Sequence, residues 1–466
     1  MLSVSGARGI VGASMTPEVA RAFALAFGAH LRENTAGGGG TTVIGRDGRG
    51  SGAELGAAAG EGLAAAGFDV IDLGIVATPT VGLMIGLLGA AGGIAVTASH
   101  NPIEWNGLKT LNADGLALPA EQAAQVIERF RAGDAGAGTR IGRIGSRADG
   151  DELHVSRVLA LVDVERIRRA GFRVVLDSVN ASGARAGRML LDALGCEVVH
   201  LNAERTGKFA HTPEPLEANL GDLMRAVRER PGTAVGFAQD PDADRLALVD
   251  DTGRFIGEEY TFVLGAMRLL EREGGGSIAT NLSTSRMIDE VVARFPGSRV
   301  VRTAVGEANV VAGIRGGSCI AGGEGNGGLI WPNVCWVRDS LSAMALVLES
   351  LAVARTSLAA LAATIPRFSM VKRKMELAAI GGQEAIAPAL ESVRAHFGAV
   401  PGARINAADG IRIDLERGWV HLRASNTEPI IRVIAESGST EAAEALCDEC
   451  ASAAELPTGG SRSVSP

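Results

Sequence analysis

Residues 92–109 read GGIAVTASHNPIEWNGLK. The run GGIAVTA is uncharged and suits a buried strand, and it breaks directly into the polar, proline-closed loop Thr97-Ala98-Ser99-His100-Asn101-Pro102. That transition marks the carboxyl end of a strand, where α/β sheets present reactive groups to a crevice. The arrangement recurs outward from this point. TTVIGRD (41–47), FDVIDLG (68–74) and GGIAVTA make a first set of strands; FRVVLDS (172–178), CEVVHLN (196–202) and TAVGFAQD (233–240) a second; GSIATNL (276–282), SRVVRTA (298–304) and GSCIAGG (317–323) a third. Ala/Leu/Arg-rich helical stretches separate them, as in parallel α/β units. After IPRFSMVKRKM (365–375) the pattern changes to a helical segment (381–397), the strands GIRIDLE, GWVHLRAS and IIRVIAE, and a last helix (439–456). The fold class expected is three similar α/β domains (1–150, 151–256, 257–368) plus a C-terminal α+β domain (369–456). The polar tail 457–466 is expected to stay disordered.

Composition sets outer limits. A chain of 466 residues with 46% apolar and 21% charged positions can bury several cores without staples. Its net charge of −8 gives no general attraction to nucleic acid or anionic membrane, so neither is expected as a partner. Only four of the 45 cationic side chains are lysines (Lys109, Lys208, Lys372, Lys374), which makes each one informative. Five scattered cysteines fit a reducing compartment, and Cys447-x-x-Cys450, lacking a second pair, reads as two thiols on a helix. The start MLSVSGARGIVG lacks signal-peptide features. The charge-free stretch 73–99 is interrupted by Pro79 and six glycines, so it reads as strand, proline-containing loop, buried helix and strand, not a membrane span. A soluble, cytoplasmic protein is expected.

Four motifs carry chemistry. Ser99 in the TASHNP loop is a candidate hydroxyl nucleophile without the G-x-S-x-G elbow of a hydrolase. Lys109, ten residues on, can give and take a proton as a guanidinium cannot. In DPDADR (240–245), Asp240, Asp242 and Asp244 alternate over five residues, an oxygen-only set that repels itself unless a hard cation such as Mg²⁺ or Ca²⁺ intervenes. An EF-hand is excluded because Arg245 stands where glycine is needed and Asp251 where glutamate is. Arg245 suits a phosphate oxygen. GGEGNGG (322–328) has neither Walker nor dinucleotide spacing, but Glu324 and Asn326 offer polar groups fit for sugar hydroxyls. RASNTEP (423–429), with Arg432 after it, joins a guanidinium, hydroxyls and turn amides around a potential phosphate. Arg8, Arg46 and Arg49 lie in glycine-rich loops. Arg8 is the better active-site candidate, while Arg46 and Asp47 could pair structurally.

Taken in this order, TASHNP, DPDADR, GGEGNGG and RASNTEP resemble the α-D-phosphohexomutases over essentially the whole chain. The family comprises phosphomannomutases, phosphoglucomutases and phosphoglucosamine mutases. The resemblance implies four domains around a central cleft, Ser99 as the phosphorylated serine, and one Mg²⁺ per chain held by Ser99, Asp240, Asp242 and Asp244. It implies Glu324 and Asn326 as the sugar loop, and Arg423, Ser425, Asn426, Thr427 and Arg432 as the phosphate loop. Arg8 and Lys109 become catalytic cations, with His100 a weaker proton carrier, and Arg245 and Glu307 substrate contacts. The reaction implied interconverts hexose 6-phosphate and hexose 1-phosphate through a hexose bisphosphate, in a monomer or homodimer. Gly328 stands where many relatives carry histidine and Glu307 where some do, and with the GEGNGG loop this favours glucosamine phosphate over mannose or glucose phosphate. The departure VRDS (337–340) is expected to matter little. A metal-dependent phosphatase lacks the D-x-D-x-[TV] nucleophile, and a silent sugar-phosphate binder would need neither Ser99 nor Lys109.

Overall fold

Three apolar runs of the first segment, Thr41–Arg46, Asp69–Ile75 and Gly92–Val96, lie parallel with Thr41–Arg46 in the middle. Trp105–Asn112 turns back antiparallel on Gly92–Val96 and sets Lys109 opposite Ala95, and Gly6–Ile10 then sets Arg8 opposite Gly107. Leu2–Ser3 and Ile144–Ser146 complete a seven-stranded sheet. The computed structural model describes residues 2–35, 39–133, 136–425, 430–456 and 461–465. Helix Pro17–Asn34, capped by Thr16, and helix Gly52–Ala65 bury Phe23, Phe27, Leu55 and Leu63 against the sheet. They cross at Gly62, where a Cβ would lie 2.3 Å from the carbonyl oxygen of Arg21.

In the second segment Arg173–Asp177 is flanked in parallel by Glu197–Leu201 and Thr233–Gln239, and Leu246–Val249 closes the sheet antiparallel. In the third, Ser277–Asn281 pairs parallel with Val300–Thr303, and Gly322, Gly323 and Glu324 pair antiparallel with Ile330, Leu329 and Gly328. The last segment is an antiparallel sheet beneath helices Ile386–Gly398 and Thr440–Ala453, with Val393, Phe397, Val420, Val433 and Leu446 in its core. The chain packs as two compact units, residues 1–273 with 320–362 and residues 274–319 with 363–466.

The structure departs from the sequence reading in three places. Pro79 is not in a loop but in the first turn of helix Thr78–Leu88, where a missing amide hydrogen costs nothing. The stretch around 365–375 contains the strand Ser369–Glu376, hydrogen-bonded on both sides, whose Lys and Arg residues mask an alternation that buries Val371 and Met375 in the core. Residues Ser461–Ser465 of the tail form an edge strand on it, because main-chain pairing needs no apolar pattern. Cys447 and Cys450 are free thiols within the core, and burial pushes Cys447 up to about 12. Among the described residues no helix is long and apolar enough to cross a membrane.

Candidate active site

Ser99 lies in the loop after strand Gly92–Val96 with φ +50°, a left-handed conformation that costs a non-glycine residue energy and is found most at functional loops. The backbone is held there by a relay. The amide of Ser99 donates to Thr97 Oγ1 (2.8 Å), and Thr97 donates to Asp47 Oδ2 (2.7 Å). Arg49, 2% exposed, pairs with Asp47 at 3.0 Å and donates to the carbonyls of Ser99, Asn101, Pro102 and Trp105 at 2.7–3.0 Å. Phe209 stacks 4.8 Å from that guanidinium. Asp47 therefore pairs with Arg49, not Arg46, which lies 3.6 Å from Asp72.

The hydroxyl of Ser99 donates to Asp240 Oδ2 at 3.0 Å. Asp240, Asp242 and Asp244 lie in the turn after Thr233–Gln239, all at most 1% exposed, and they bring one oxygen each within 4.8 Å of the others. Ala243, at φ +53°, lets the alternate carboxylates converge. Each carboxylate is oriented by neighbours. Asp240 Oδ1 accepts from the amide of Arg245 (3.1 Å), Asp242 Oδ2 from Thr78 Oγ1 (2.7 Å), and Asp244 Oδ2 from Lys109 Nζ (2.8 Å) and Arg338 (2.7 Å). Asp242 Oδ1 and Asp244 Oδ1 are buried with no hydrogen-bond partner. Two orphaned carboxylate oxygens beside a third carboxylate, in an oxygen-only set, fit a hard divalent cation. The electrostatics agree. Burial, then repulsion from Asp242 and Asp244, raises Asp240 well above the usual carboxylate range, whereas at Asp244 the effect of burial is outweighed by Arg338, Lys109 and Arg245, which hold it low. A second group, His154, Cys335 and Asp339, is already satisfied, since both His154 nitrogens are engaged by Thr80 and Asp339.

Lys109, 6% exposed, lies within 3.6 Å of Asp242 as well as against Asp244. Arg8 donates to Asn101 Oδ1 (3.1 Å), so strand Gly6–Ile10 reaches the Ser99 loop; burial lowers its pKa, with Arg245 and Arg338 adding to the effect against Asp242 and Asp244. His100, its Nδ1 3.3 Å from Ser99 Oγ, is depressed to about 2 by Arg245, burial and Arg8, so it is neutral at physiological pH. Arg245 Nε stands 3.8 Å from Asp244 Oδ1. The glycine-rich loop joins this group through the amide of Leu246, which donates to Gly327 O at 3.0 Å, and through Arg338, which donates to both Glu324 (2.8 Å) and Asp244. Asn326 Oδ1 is buried without a partner.

Glu307, Arg423, Ser425 and Arg432 belong to the other compact unit. There Asp409 Oδ2 accepts from the amide of Val305 (3.0 Å) and from Arg423 Nε (2.9 Å), which ties the Glu307 turn to the Arg423 strand. Arg423, Arg432 and Lys374 face one another across three adjacent strands. Asn426 and Thr427 lie outside the described residues. The sequence reading missed Thr78, Arg338 and Lys374, and noted Arg49 only as a cation in a glycine-rich loop; Lys374, as one of four lysines, and Arg338, in the noted VRDS departure, also left a signal.

Four family models match the chain in order: Phosphoglucomutase/phosphomannomutase alpha/beta/alpha domain I at residues 2–137, domain II at 152–253, domain III at 257–368 and the C-terminal domain at 371–453. The chain belongs to the phosphoglucomutase/phosphomannomutase family. A Methanopyrus kandleri relative described as "Probable phosphoglucosamine mutase" is 38% identical over 96% of this chain and 95% of its own. A Thermococcus kodakarensis "Phosphoglucomutase/phosphomannomutase" is 37% identical over 94% of each. Among solved structures, a phosphoglucomutase/phosphomannomutase family protein from Burkholderia thailandensis superposes with TM-score 0.85 at 28% identity, covering 99% of this chain and 98% of its own. This phosphoglucomutase/phosphomannomutase family member is thus a phosphohexomutase, an isomerase that moves phosphate within a hexose phosphate, and its acidic cluster could hold a metal ion.

Proposed function

We propose that the protein interconverts glucosamine 6-phosphate and glucosamine 1-phosphate by way of phosphorylated Ser99 and a bisphosphorylated sugar. The observation that carries this is the 3.0 Å bond from Ser99 Oγ to Asp240, beside two carboxylates with orphaned oxygens. A Mg²⁺ ion, one per chain, held by Asp240, Asp242, Asp244 and the Ser99 phosphoryl group, supplies charge neutralisation at phosphorus. Asp244 keeps a proton on Lys109 Nζ. Lys109 gives it to Ser99 Oγ as the Oγ–P bond breaks and recovers one from the sugar hydroxyl as its O–P bond forms, so charge and protons balance. Neutral His100 is no general acid at pH 7, and it is assigned as an orienting contact of Ser99. Arg8 and Arg245 hold the transferring phosphoryl oxygens, and Glu324 and Asn326 take the sugar hydroxyls in either orientation. The distal phosphate is assigned to Arg423, Ser425 and Arg432, with Asn426 and Thr427 of the same loop and Lys374 of the cation row; like charges placed directly opposite repel unless an anion binds. Glucosamine is favoured by the relatives named for it and by a carboxylate, Glu307, suited to an ammonium.

Intact mass spectrometry tests the mechanism. A phosphate adduct on Ser99 that disappears with substrate is expected, and Ser99→Ala should carry neither adduct nor turnover; an active Ser99→Ala enzyme would sink the mechanism. Turnover of glucosamine, mannose and glucose phosphates side by side tests the sugar, and the assignment is wrong if the amino sugar is the poorest.

A further inference from the structure

The guanidinium of Arg338 is buried, 7% exposed, between two loops that the proposed reaction uses for different purposes. Nη2 donates to Asp244 Oδ2 at 2.7 Å in the metal loop, and Nη1 donates to Glu324 Oε2 at 2.8 Å in the sugar loop. With Lys109 it occupies Asp244 Oδ2 and so leaves Oδ1 as the oxygen free for a cation. Its stem runs through space that exists only because residue 328 is glycine. A Cβ there would stand 2.2 Å from Arg338 Cδ and 2.8 Å from its Cγ. Arg338 directly precedes Asp339, the N-cap of the buried helix Ser340–Ala354, whose side chain accepts from the amides of Leu341 and Ser342, so its backbone is fixed as well.

We propose that Arg338 is a positioning residue that sets metal affinity and sugar affinity together, and that Gly328 is its steric counterpart. Without Arg338 the Asp244 carboxylate keeps a hydrogen bond from Lys109 and the more distant charge of Arg245 and is freer to exchange its oxygens, and Glu324 loses a charged partner that fixes its direction. Partners of this kind behind a metal ligand are worth about 10- to 100-fold in metal affinity. Gly328→Ala removes no polar group, yet it forces the same displacement.

The inference rests on Asp244 as a metal ligand and Glu324 as a sugar contact, and the experiment separates the two levels. Mn²⁺ binding is titrated on the full chain without sugar, alongside kcat, KM and thermal unfolding, for wild type, Arg338→Met, Arg338→Lys, Gly328→Ala and the Gly328→Ala/Arg338→Met double variant. Wild type should bind one Mn²⁺. Arg338→Met should bind it about 10- to 100-fold more weakly, with a raised KM, and Arg338→Lys should recover part of both. Gly328→Ala should shift both constants in the same direction even if Arg338→Met folds poorly, and the double variant should be no weaker than Arg338→Met, because both changes remove one interaction. Unaltered Mn²⁺ affinity in Arg338→Met, or losses that add in the double variant, would overturn the proposal. A wild-type chain that binds no Mn²⁺ would overturn the metal assignment beneath it.

Discussion

Arg49 commits every donor of its guanidinium to one carboxylate and four main-chain carbonyls of the Ser99 loop. Replacing it by Met would leave Asp47 buried and unpaired, which costs about 3–5 kcal/mol; denaturant unfolding of Arg49→Met should give a loss of that size, with turnover falling in whatever fraction still folds. Lys109 makes a different kind of demand. Lys109→Arg keeps the charge beside Asp244 but cannot return a proton, so kcat should drop about 10²- to 10⁴-fold while Mn²⁺ affinity stays within a few-fold of wild type. An equally active Lys109→Arg would reduce the lysine to an electrostatic part. Ser99, the three aspartates and Lys109 were legible in the sequence because alternating acids and a rare lysine have few other uses. The contacts of Arg49 and Thr78 were not, since they reach partners 50 and 164 positions away respectively, which no local pattern announces.

At the scale of elements, three parallel strands in each of the first two sheets follow from short apolar runs and the helices between them from Ala/Leu-rich spacing, whereas Gly6–Ile10, Trp105–Asn112 and Leu246–Val249, with polar or glycine-rich sequence or only four residues, did not stand out. Ser369–Glu376 escaped because cations interrupt its alternation. Lys374 and Arg432 are register partners, so Lys374→Ala should raise KM for the hexose phosphate with little change in kcat, as removal of a binding charge predicts. The adjacent strand Gly418–Ala424 carries His421, fully buried, bonded to Ser283 Oγ at 3.0 Å and Asp409 O at 2.7 Å. Burial, reinforced by Arg423 and Arg412, depresses it to about 4. A neutral imidazole whose folded pKa lies below its unfolded value contributes stability above about pH 6.5 that is lost as pH falls toward 4, about 2 kcal/mol of it by pH 5. Thermal unfolding between pH 7 and 5 should show that slope, and His421→Gln should flatten it.

At the scale of the whole molecule, the chain folds around three buried carboxylates that repel one another. A cation that binds only the folded state stabilises it by about 2.7 kcal/mol at a hundred times its dissociation constant. Chelation should therefore lower the unfolding temperature and Mg²⁺ restore it, whereas Asp242→Asn/Asp244→Asn should unfold at a temperature indifferent to either. A chelator-insensitive wild type would contradict a resident cation. Four domains in order were readable because three restart the alternation of strand and helix and the fourth breaks it. The division into two compact units was not, because residues 257–362 form one run of sequence yet are shared between them.

The clamp on the Ser99 loop has one more consequence. Its contacts end on main-chain carbonyls and on Thr97, and none engages the serine hydroxyl. In the proposed cycle the socket can then lose a doubly charged group in one half and regain one in the other while its walls stay still. An isomerase that discharges and recharges the same atom once per turnover would meet almost no reorganisation energy from its own backbone.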